Sequence, residues 1–322
     1  MFTSMKALFF ETFGDPEVLQ YGDVPDPVLR PGQALVRTAA IGLNFADVYR
    51  RRGNYHLAGS PPYIAGYEAA GTIQKLSGDA PPPLEVGSRV AFADSPHANA
   101  ELVAVDYDKL VPVSEDVTYE QAAAVMLQGL TAQYLCRDSY AVFAGDVAIV
   151  HAAAGGVGLL LVQLLVQAGA RVIGFASTAE KCAAARSYGA HEAFTYADGW
   201  PARAKGADVI FDSVGSTLEE SIAAVKTRGT IVFYGFAGGD PKAVDPRTLM
   251  DGSKRLVGGD LWNVLTSREE RIARAGELFA LLRAGEVRVP IAARFALADG
   301  AAAHRFLESR AAIGKIVLMP EH

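Results

Sequence analysis

Cysteine, excess basic charge and a leader-like N-terminus are all scarce or missing in this chain. Only two cysteines, Cys136 and Cys182, occur among the 322 residues, too few for a disulfide framework or a thiolate zinc cluster. Lysine and arginine number 30 against 36 acidic residues, and this net charge of −6 argues against nucleic acid as a partner. The first residues lack a basic region followed by an apolar run. We therefore expect a cytoplasmic protein without a signal peptide.

The longest stretch without a formal charge is the 24 residues between Asp146 and Arg171, which is long enough to cross a bilayer. It contains HAAAGGVGLLLVQLLVQAGA, whose glycines would be poor residues in the middle of a membrane helix. We interpret it instead as a buried strand, a tight turn and a helix that packs on a sheet. No membrane association is expected.

The chain divides into two parts of different texture. Up to about residue 119, β-like runs such as ALVRTAAIGL, AGTIQKL and SRVAFA are bounded by Gly, Pro or Asp, which indicates a mostly-β module. Beyond it, helical stretches alternate with six apolar runs: VAIVH, RVIGFA, EAFTY, DVIFDS, TIVFYG and RLVGG. Because parallel strands need crossover helices, this alternation predicts a doubly wound α/β sheet. Two helix-capping boxes are also predicted, Thr118 with Gln121 and Ser216 with Glu219.

A dinucleotide-binding fingerprint follows the first of these runs. Ala153, Gly155 and Gly158 occupy its three small-residue positions, which let the backbone approach a pyrophosphate at a helix N-terminus. About twenty residues later an acidic residue would hold the ribose 2′-hydroxyl of NAD. This chain has Ser177 there, followed by Lys181. A hydroxyl and an ammonium can bind a 2′-phosphate, so NADP(H) is the favoured cofactor.

Motifs spread over nearly the whole chain resemble those of quinone oxidoreductases of the zeta-crystallin type, within the medium-chain dehydrogenase/reductase superfamily. The matching stretches are GDPEVLQ, AIGLNFADVYRRRGNY, QAAAVMLQGLTAQYL, HAAAGGVGLL, FDSVG and HRFLESRAAIGKIVL. The resemblance implies a GroES-like catalytic domain of residues 1–125 and 261–322 around an inserted Rossmann domain of residues 126–260. It also implies NADPH as the reductant and a homodimer.

Zinc is the main contrast within that superfamily. Zinc alcohol dehydrogenases carry a cysteine and a histidine where this chain has Asn44, in GLNFAD, and Tyr67, in GYE. Neither side chain is a plausible zinc ligand, and the six histidines show no ligand spacing. We expect no catalytic metal.

The predicted catalytic stretch is polar and aromatic: the resemblance places Asn44, Asp47, Tyr49 and Tyr55 beside the nicotinamide. Asn44 can donate a hydrogen bond to a carbonyl oxygen that gains negative charge as a hydride arrives. A tyrosine can stack on a flat acceptor and donate its O–H. The structural alternative is that Asp47 caps a helix and that the two tyrosines only pack.

The resemblance also implies cofactor contacts from residues far apart in the sequence. They are Asn44, Thr131, Ser213, Val214, Phe236 and Leu261 for the nicotinamide side, Gly156 and Val157 for the pyrophosphate, and Tyr196 and Arg310 for the adenosine phosphate. The chain departs from the family at Gln128, where relatives often have lysine, and in the loop ADSPHANAELVAVD. In that loop His97 and Asn99 either border the substrate cleft or lie in a surface turn.

The sixth apolar run, RLVGG, is expected to be the outermost strand of one half of the sheet. An apolar strand edge is an aggregation hazard unless it is covered, charged or paired. Antiparallel pairing with the same strand of a second subunit would continue the sheet across a two-fold axis. Covering of the edge by the loop GGDPKAVDP is the alternative.

These observations predict an NADPH-dependent quinone reductase that transfers reducing equivalents without a metal. An enoyl or alkenal double-bond reductase is the enzymatic alternative, because the same pocket would polarise an enone. An NADPH-binding structural or RNA-associated protein is the non-enzymatic alternative. The acidic balance argues against the RNA-associated role, and an intact cofactor site beside a polar cleft argues for turnover.

Overall fold

The strands and helices of the chain follow from a computed structural model, which describes residues 4–321. The strands are β1 Ser4–Phe10, β2 Gln20–Pro25, β3 Gln33–Leu43, β4 Tyr63–Ile64, β5 Glu68–Ser77, β6 Arg89–Ala93, β7 Leu102–Asp106, β8 Val111–Pro112, β9 Val147–Val150, β10 Arg171–Ala176, β11 Glu192–Thr195, β12 Val209–Asp212, β13 Thr230–Phe233, β14 Arg255–Gly258, β15 Ile291–Ala296 and β16 Lys315–Met319. The α-helices are α1 Phe45–Arg51, α2 Tyr119–Tyr134, α3 Gly156–Gln167, α4 Ala179–Ser187, α5 Trp200–Arg203, α6 Leu218–Ala224, α7 Pro246–Asp251, α8 Arg268–Arg283 and α9 Gly300–Glu308. Among these helices of the described chain, none combines the length and the apolar character that a membrane crossing requires.

These elements form two units. The first unit comprises residues 1–127 and 265–322, and the second comprises residues 128–264. The first is mostly β and the second alternates strand and helix, so the predicted division into a mostly-β module and an α/β module is confirmed.

The first unit is organised around the long strand β3. This strand pairs antiparallel with β5, β7 and β16 in a seven-stranded sheet of order β15-β16-β3-β5-β6-β8, in which β7 pairs β3 off the main path. Alternate residues of the sheet, such as Val36, Ile73 and Phe92, are fully buried in its core. Because β3 runs antiparallel to both β5 and β16, its carboxyl end lies beside the amino ends of those two strands. Asn44, Glu68 and Lys315 therefore meet at one edge of the sheet.

The second unit contains a six-stranded, all-parallel sheet of order β11-β10-β9-β12-β13-β14. Strand order reverses between β9 and β12, the position at which doubly wound sheets bind ligands beyond the carboxyl ends of their strands. The predicted doubly wound sheet is confirmed. The predicted place of RLVGG is confirmed as well, because β14 ends one side of the sheet.

One of the two predicted capping boxes is correct. Thr118 and Gln121 exchange hydrogen bonds of 2.9 and 3.1 Å at the start of α2. The Ser216–Glu219 box is wrong, because Thr217 is the residue that precedes α6 and its hydroxyl donates to Asp212 instead. The buried Asp212 carboxylate needs donors, and that need outweighs a local cap.

Candidate active site

The predicted dinucleotide contacts of the second unit gather at the carboxyl edge of its sheet. The fingerprint residues follow β9, Ser177 follows β10, Tyr196 follows β11, and Ser213 with Val214 follows β12. The segment after β13 is tied to the segment after β12, because the amides of Ala237 and Gly238 donate to the carbonyls of Ser213 and Val214 at 3.0 and 2.7 Å. Phe236 lies in that segment, and Leu261 lies in a short turn after β14. Thr131 lies in α2 of the same unit, whereas the exposed Arg310 follows α9 in the first unit.

The turn after β9 has the close packing that a pyrophosphate site requires. A Cβ atom on Gly158 would collide with the Ala152 carbonyl oxygen and with Ala153, and a Cβ on Gly156 would collide with the Gln128 amide. Helix α3 begins at Gly156, with Gly155 as its N-cap in extended conformation. Its first amides are therefore able to face a phosphate, and the helix dipole favours negative charge there. Residues at this turn fit a dinucleotide.

The end of β10 fits a 2′-phosphate. Ser177 is exposed, and Thr178 caps α4 by accepting a hydrogen bond from the Lys181 amide at 3.2 Å. This cap places the Lys181 side chain in the first turn of the helix, beside the ribose position expected for the second strand of a Rossmann fold. Glu180 is exposed on the same helix.

A polar chain lies directly behind the turn, and its members His151, Ser221 and Asp212 are fully buried. The Ala152 amide donates to the Tyr196 hydroxyl oxygen at 3.0 Å, and that hydroxyl lies 3.3 Å from Nδ1 of His151. Nε2 of His151 lies 3.2 Å from the Ser221 hydroxyl, which donates to Asp212 at 2.8 Å. Burial lowers the pKa of His151 to about 4, so the imidazole is neutral. Neither His151 nor Asp212 was predicted from the sequence.

In the first unit, Asn44 is held by a buried ion pair. The Lys315 ammonium donates to Glu68 at 2.6 Å and to the Asn44 amide oxygen at 2.9 Å, and both charged side chains are completely buried. The Asn44 amide nitrogen donates to Glu68 at 2.8 Å and to the Gly42 carbonyl at 3.2 Å. These two acceptors occupy the donor directions of the amide. The sequence predicts that Asn44 donates to the reacting carbonyl, and that role would require one of these two hydrogen bonds to break.

Asp47 has the structural role that was weighed against a catalytic one. Its carboxylate accepts a hydrogen bond from the backbone amide of Asn44 at the start of α1 at 2.9 Å and pairs with Arg50 at 3.2 Å. Burial raises the pKa of Asp47, and the Arg50 guanidinium acts in the opposite direction. The same guanidinium lies 3.5 Å from the ring centroid of Tyr67, where a zinc enzyme would have its histidine. The buried pairing makes Asp47 a residue that shapes the site.

Tyr49 and Tyr55 form the aromatic part of the predicted site. Their rings meet edge to face, with centroids 6.3 Å apart, and both side chains are half-buried. Phe45 continues the aromatic row with its centroid 6.3 Å from that of Tyr49. Half-buried aromatic faces of this kind can contact a flat acceptor.

The loop after β6 separates its two candidate residues. His97 is exposed, with a left-handed backbone at φ 71°. Asn99 is completely buried, so its interpretation as a surface-turn residue is wrong. Its backbone explains the burial, because the Asn99 amide and carbonyl bond to Ala65 and Leu8 and hold the loop against β1.

No cluster of three or more His, Cys, Asp or Glu side chains that could hold a metal ion occurs within residues 4–321. Asn44 and Tyr67 stand where zinc alcohol dehydrogenases carry their cysteine and histidine, and an ammonium, Lys315, lies against Asn44. A cation already held at this point would repel a second one. The donor set does not fit zinc.

Comparison with known proteins agrees with this arrangement. Residues 30–147 match the alcohol dehydrogenase GroES-like domain, and residues 156–276 match the domain described as zinc-binding dehydrogenase. The chain is 40% identical to a quinone oxidoreductase of Pseudomonas aeruginosa, with 98% of this chain and 99% of that protein covered. It is 35% identical to a 2-haloacrylate reductase of a Burkholderia species over 96% of this chain and 97% of that protein. The structure of Escherichia coli quinone oxidoreductase complexed with NADPH superposes with a TM-score of 0.93 at 33% identity, over 98% of this chain and 100% of that one.

Proposed function

This chain belongs to the quinone oxidoreductase family of the medium-chain dehydrogenase/reductase superfamily, and on that premise we propose that it is an NADPH:quinone oxidoreductase that works without a metal. The observation that carries the proposal is a dinucleotide turn followed by Ser177 and Lys181 in a chain whose metal position holds Asn44. The quinone acceptor rests on the activity for which the relatives are named.

When bound, NADPH supplies a hydride from C4 of its nicotinamide. The residues of this chain would hold the cofactor: the turn at Gly155–Gly158 would bind the pyrophosphate, and Ser177 with Lys181 would bind the 2′-phosphate. Thr131, Ser213, Val214, Phe236 and Leu261 would contact the nicotinamide side, and Arg310 would contact the adenosine phosphate. A quinone that gains a hydride and one proton becomes a hydroquinone, so the site must also deliver a proton.

Tyr49 and Tyr55 are the residues to which we assign the acceptor. Their half-buried rings offer apolar faces for a flat quinone, and a tyrosine O–H or solvent supplies the proton. Asn44 is assigned to the nicotinamide side and not to the acceptor carbonyl. Its side-chain amide nitrogen already donates to Glu68 and Gly42, so it has no further hydrogen bond to donate to that carbonyl. Asp47 is assigned to the support of Asn44 through the capping bond.

Reduction of a conjugated double bond is a second candidate activity. The 35% identity to a 2-haloacrylate reductase favours it. In that reaction a hydride adds to one alkene carbon and a proton to the other, so the same cofactor site would serve. The two activities differ in the acceptor and not in the reductant.

The deciding experiment is an assay of NADPH oxidation by the purified protein against matched pairs of quinones and enones of similar size. We expect the quinones to give the larger kcat/KM. A larger kcat/KM for the enones would assign the chain to double-bond reduction. Binding of NADPH without oxidation by either class would contradict both activities and favour a non-enzymatic role.

We further propose that the protein is a cytoplasmic homodimer in which β14 pairs with its copy. Leu256 and Val257 at this sheet end are half-buried, and Met250 on the preceding helix is 71% exposed. Light scattering should report about twice the chain mass of 34.1 kDa. The backbone amides of Arg255 and Gly259 donate to the segments around β13, so the alternating amide of Leu256 faces the open edge. Leu256→Pro should therefore give monomers or aggregates, because proline lacks the ladder donor at that edge. A monomeric and fully active wild-type protein would exclude the edge-pairing model.

A further inference from the structure

The guanidinium of Arg50 connects three parts of the first unit. The side chain is almost completely buried, pairs with Asp47 at 3.2 Å, and donates through Nε to the His56 carbonyl at 2.9 Å. It also faces two aromatic rings, 3.5 Å from the centroid of Tyr67 and 5.1 Å from that of Tyr55. A cation over a ring is attracted more strongly where water is excluded. Arg50 therefore links helix α1, the Tyr67 ring and the backbone next to Tyr55.

Tyr55 lies in an irregular segment, residues 52–62, that joins α1 to β4. This stretch of the described chain contains neither helix nor strand, so its backbone groups rely on other partners. One such partner is a side chain, because the Ala58 amide donates to the Tyr67 hydroxyl oxygen at 2.9 Å. The Nε bond of Arg50 supplies a second. Two side chains that already contact each other therefore hold the segment just after Tyr55.

The guanidinium is itself held by Tyr67 and Asp47. Burial raises the pKa of Tyr67, so its hydroxyl keeps its proton. A buried guanidinium needs a counter-charge, which Asp47 supplies from α1, and the same carboxylate accepts the backbone amide of Asn44 at 2.9 Å. Tyr67 stands where zinc alcohol dehydrogenases carry a histidine. An organic cation and a ring therefore face each other where those enzymes bind a metal.

The two tyrosines assigned to the acceptor are carried by different elements. Tyr49 lies in α1 and Tyr55 in the segment after it, with their rings edge to face at 73° and 6.3 Å between centroids. We propose that Arg50 and Tyr67 form a clamp that positions Tyr55 for a flat acceptor. The inference rests on the proposed quinone reduction, and both clamp residues act through Tyr55. Its consequence is that the clamp sets the affinity for the quinone and not for NADPH.

Steady-state kinetics with the naphthoquinone menadione tests the clamp in Tyr67→Phe, with Tyr107→Phe as the matched control. Phenylalanine keeps the ring against the guanidinium and removes the partner of the Ala58 amide. The Tyr107 hydroxyl likewise accepts a backbone amide, that of Ser77 at 2.9 Å, and each tyrosine is 7% exposed. The KM for menadione should rise roughly three- to tenfold in Tyr67→Phe and stay unchanged in Tyr107→Phe. An equal rise in both variants, or an unchanged KM in Tyr67→Phe, would overturn the proposal.

Arg50→Lys tests the other half of the clamp. Lysine keeps a positive charge for Asp47, but its single ammonium cannot reproduce the fork that reaches Asp47 and the His56 carbonyl together. The KM for menadione should again rise at least about threefold, while the dissociation constant of NADPH should change less than about twofold. A dissociation constant of NADPH that rises by the same factor as the KM would contradict a role confined to the acceptor.

Amide hydrogen exchange gives a readout that needs neither cofactor nor acceptor. The Ala58 amide should exchange faster in Arg50→Lys, although Arg50 does not bond to it, because the whole segment loosens. Amides in the middle of β3 should keep their protection. Unchanged exchange at Ala58 in Arg50→Lys would overturn the clamp even if the KM rises. A wild-type protein that reduces no quinone would instead overturn the proposed function, and the exchange result would still decide whether Arg50 holds the segment.

Discussion

Each unit buries a polar network beside its candidate site, but the two networks balance charge differently. In the first unit two cations and two anions are paired within a few side chains, Lys315 with Glu68 and Arg50 with Asp47. In the second unit the single carboxylate of Asp212 is surrounded by hydroxyl and amide donors, and the neighbouring His151 is neutral.

The difference shows what each site needs. A buried ion pair carries a large desolvation penalty, and removing one partner leaves the other charge buried and uncompensated. A network of neutral donors loses one hydrogen bond at a time. The first unit therefore fixes Asn44 rigidly where a metal enzyme would place its ligand, whereas the second unit places neutral donors behind the proposed pyrophosphate turn.

The largest effect should follow from Lys315→Met. Methionine has a similar volume but leaves Glu68 buried without its cation, so we expect the free energy of unfolding to fall by about 3–5 kcal/mol. Urea denaturation measures it. Lys6→Met makes the same change in an exposed pair with Asp23 and should alter stability little, because solvent screens that pair. Equal losses in the two variants would mean that the buried Lys315–Glu68 pair contributes no more to the free energy of unfolding than the exposed pair does.

A pH-dependent loss of stability should come next in size, with one histidine in each unit. Burial lowers the pKa of His151 to about 4, and burial together with the Arg51 guanidinium lowers the pKa of His304 to about 3. Below the ordinary pKa of about 6.5 the unfolded chain takes up protons that the folded chain refuses, so stability falls as the pH drops from about 6.5 towards 4. At pH 5 each histidine should cost about 2 kcal/mol.

The measurement is urea denaturation at pH 7.5 and pH 5, in the wild type and in His151→Gln and His304→Gln. Glutamine does not titrate, so each variant should lose less stability between the two pH values than the wild type does. An undiminished pH dependence in His304→Gln would show that this histidine is already protonated in the fold. The same result in His151→Gln would show that the His151 imidazole is protonated, and not neutral, in the folded protein.

Cofactor choice should show the smallest effect, confined to the second unit. Lys181→Ala removes the proposed charge-assisted hydrogen bond to the 2′-phosphate, worth about 1.5–3 kcal/mol, so the apparent KM for NADPH should rise at least about tenfold. The apparent KM for NADH should stay nearly unchanged. Steady-state kinetics with each cofactor measures both. Equal losses for the two cofactors would show that Lys181 serves the fold.

The sequence predicted the second unit better than the first, for a physical reason. Strand alternation and the turn from Ala153 to Gly158 are local patterns, so residues within about 30 positions determine them. The Lys315–Glu68 pair joins residues 247 positions apart, and a single lysine at the start of an apolar strand resembles a surface residue. A glycine inside an apolar strand pattern indicates a close approach by another group. Gly42 is such a residue, and a Cβ there would collide with Glu68 and the Ala123 carbonyl.

The errors came from tertiary demands on polar groups. Thr217 turns towards Asp212 and displaces the expected cap at Ser216, and Asn99 is buried because its backbone completes the pairing around β1. Local sequence propensity predicts neither the hydrogen bonds that Asp212 requires nor the backbone pairing that buries Asn99. Asn44 was predicted as a site residue from its motif, but the acceptors of its side-chain amide could be found only in three dimensions.

We propose that this site transfers reducing equivalents with Asn44 and a buried ammonium, Lys315, where metal enzymes use zinc. The most direct test measures NADPH oxidation with a quinone before and after exhaustive chelation, together with the zinc content of the purified protein. We expect an unchanged kcat and no stoichiometric zinc. Activity that is lost on chelation and restored by Zn²⁺ would contradict it.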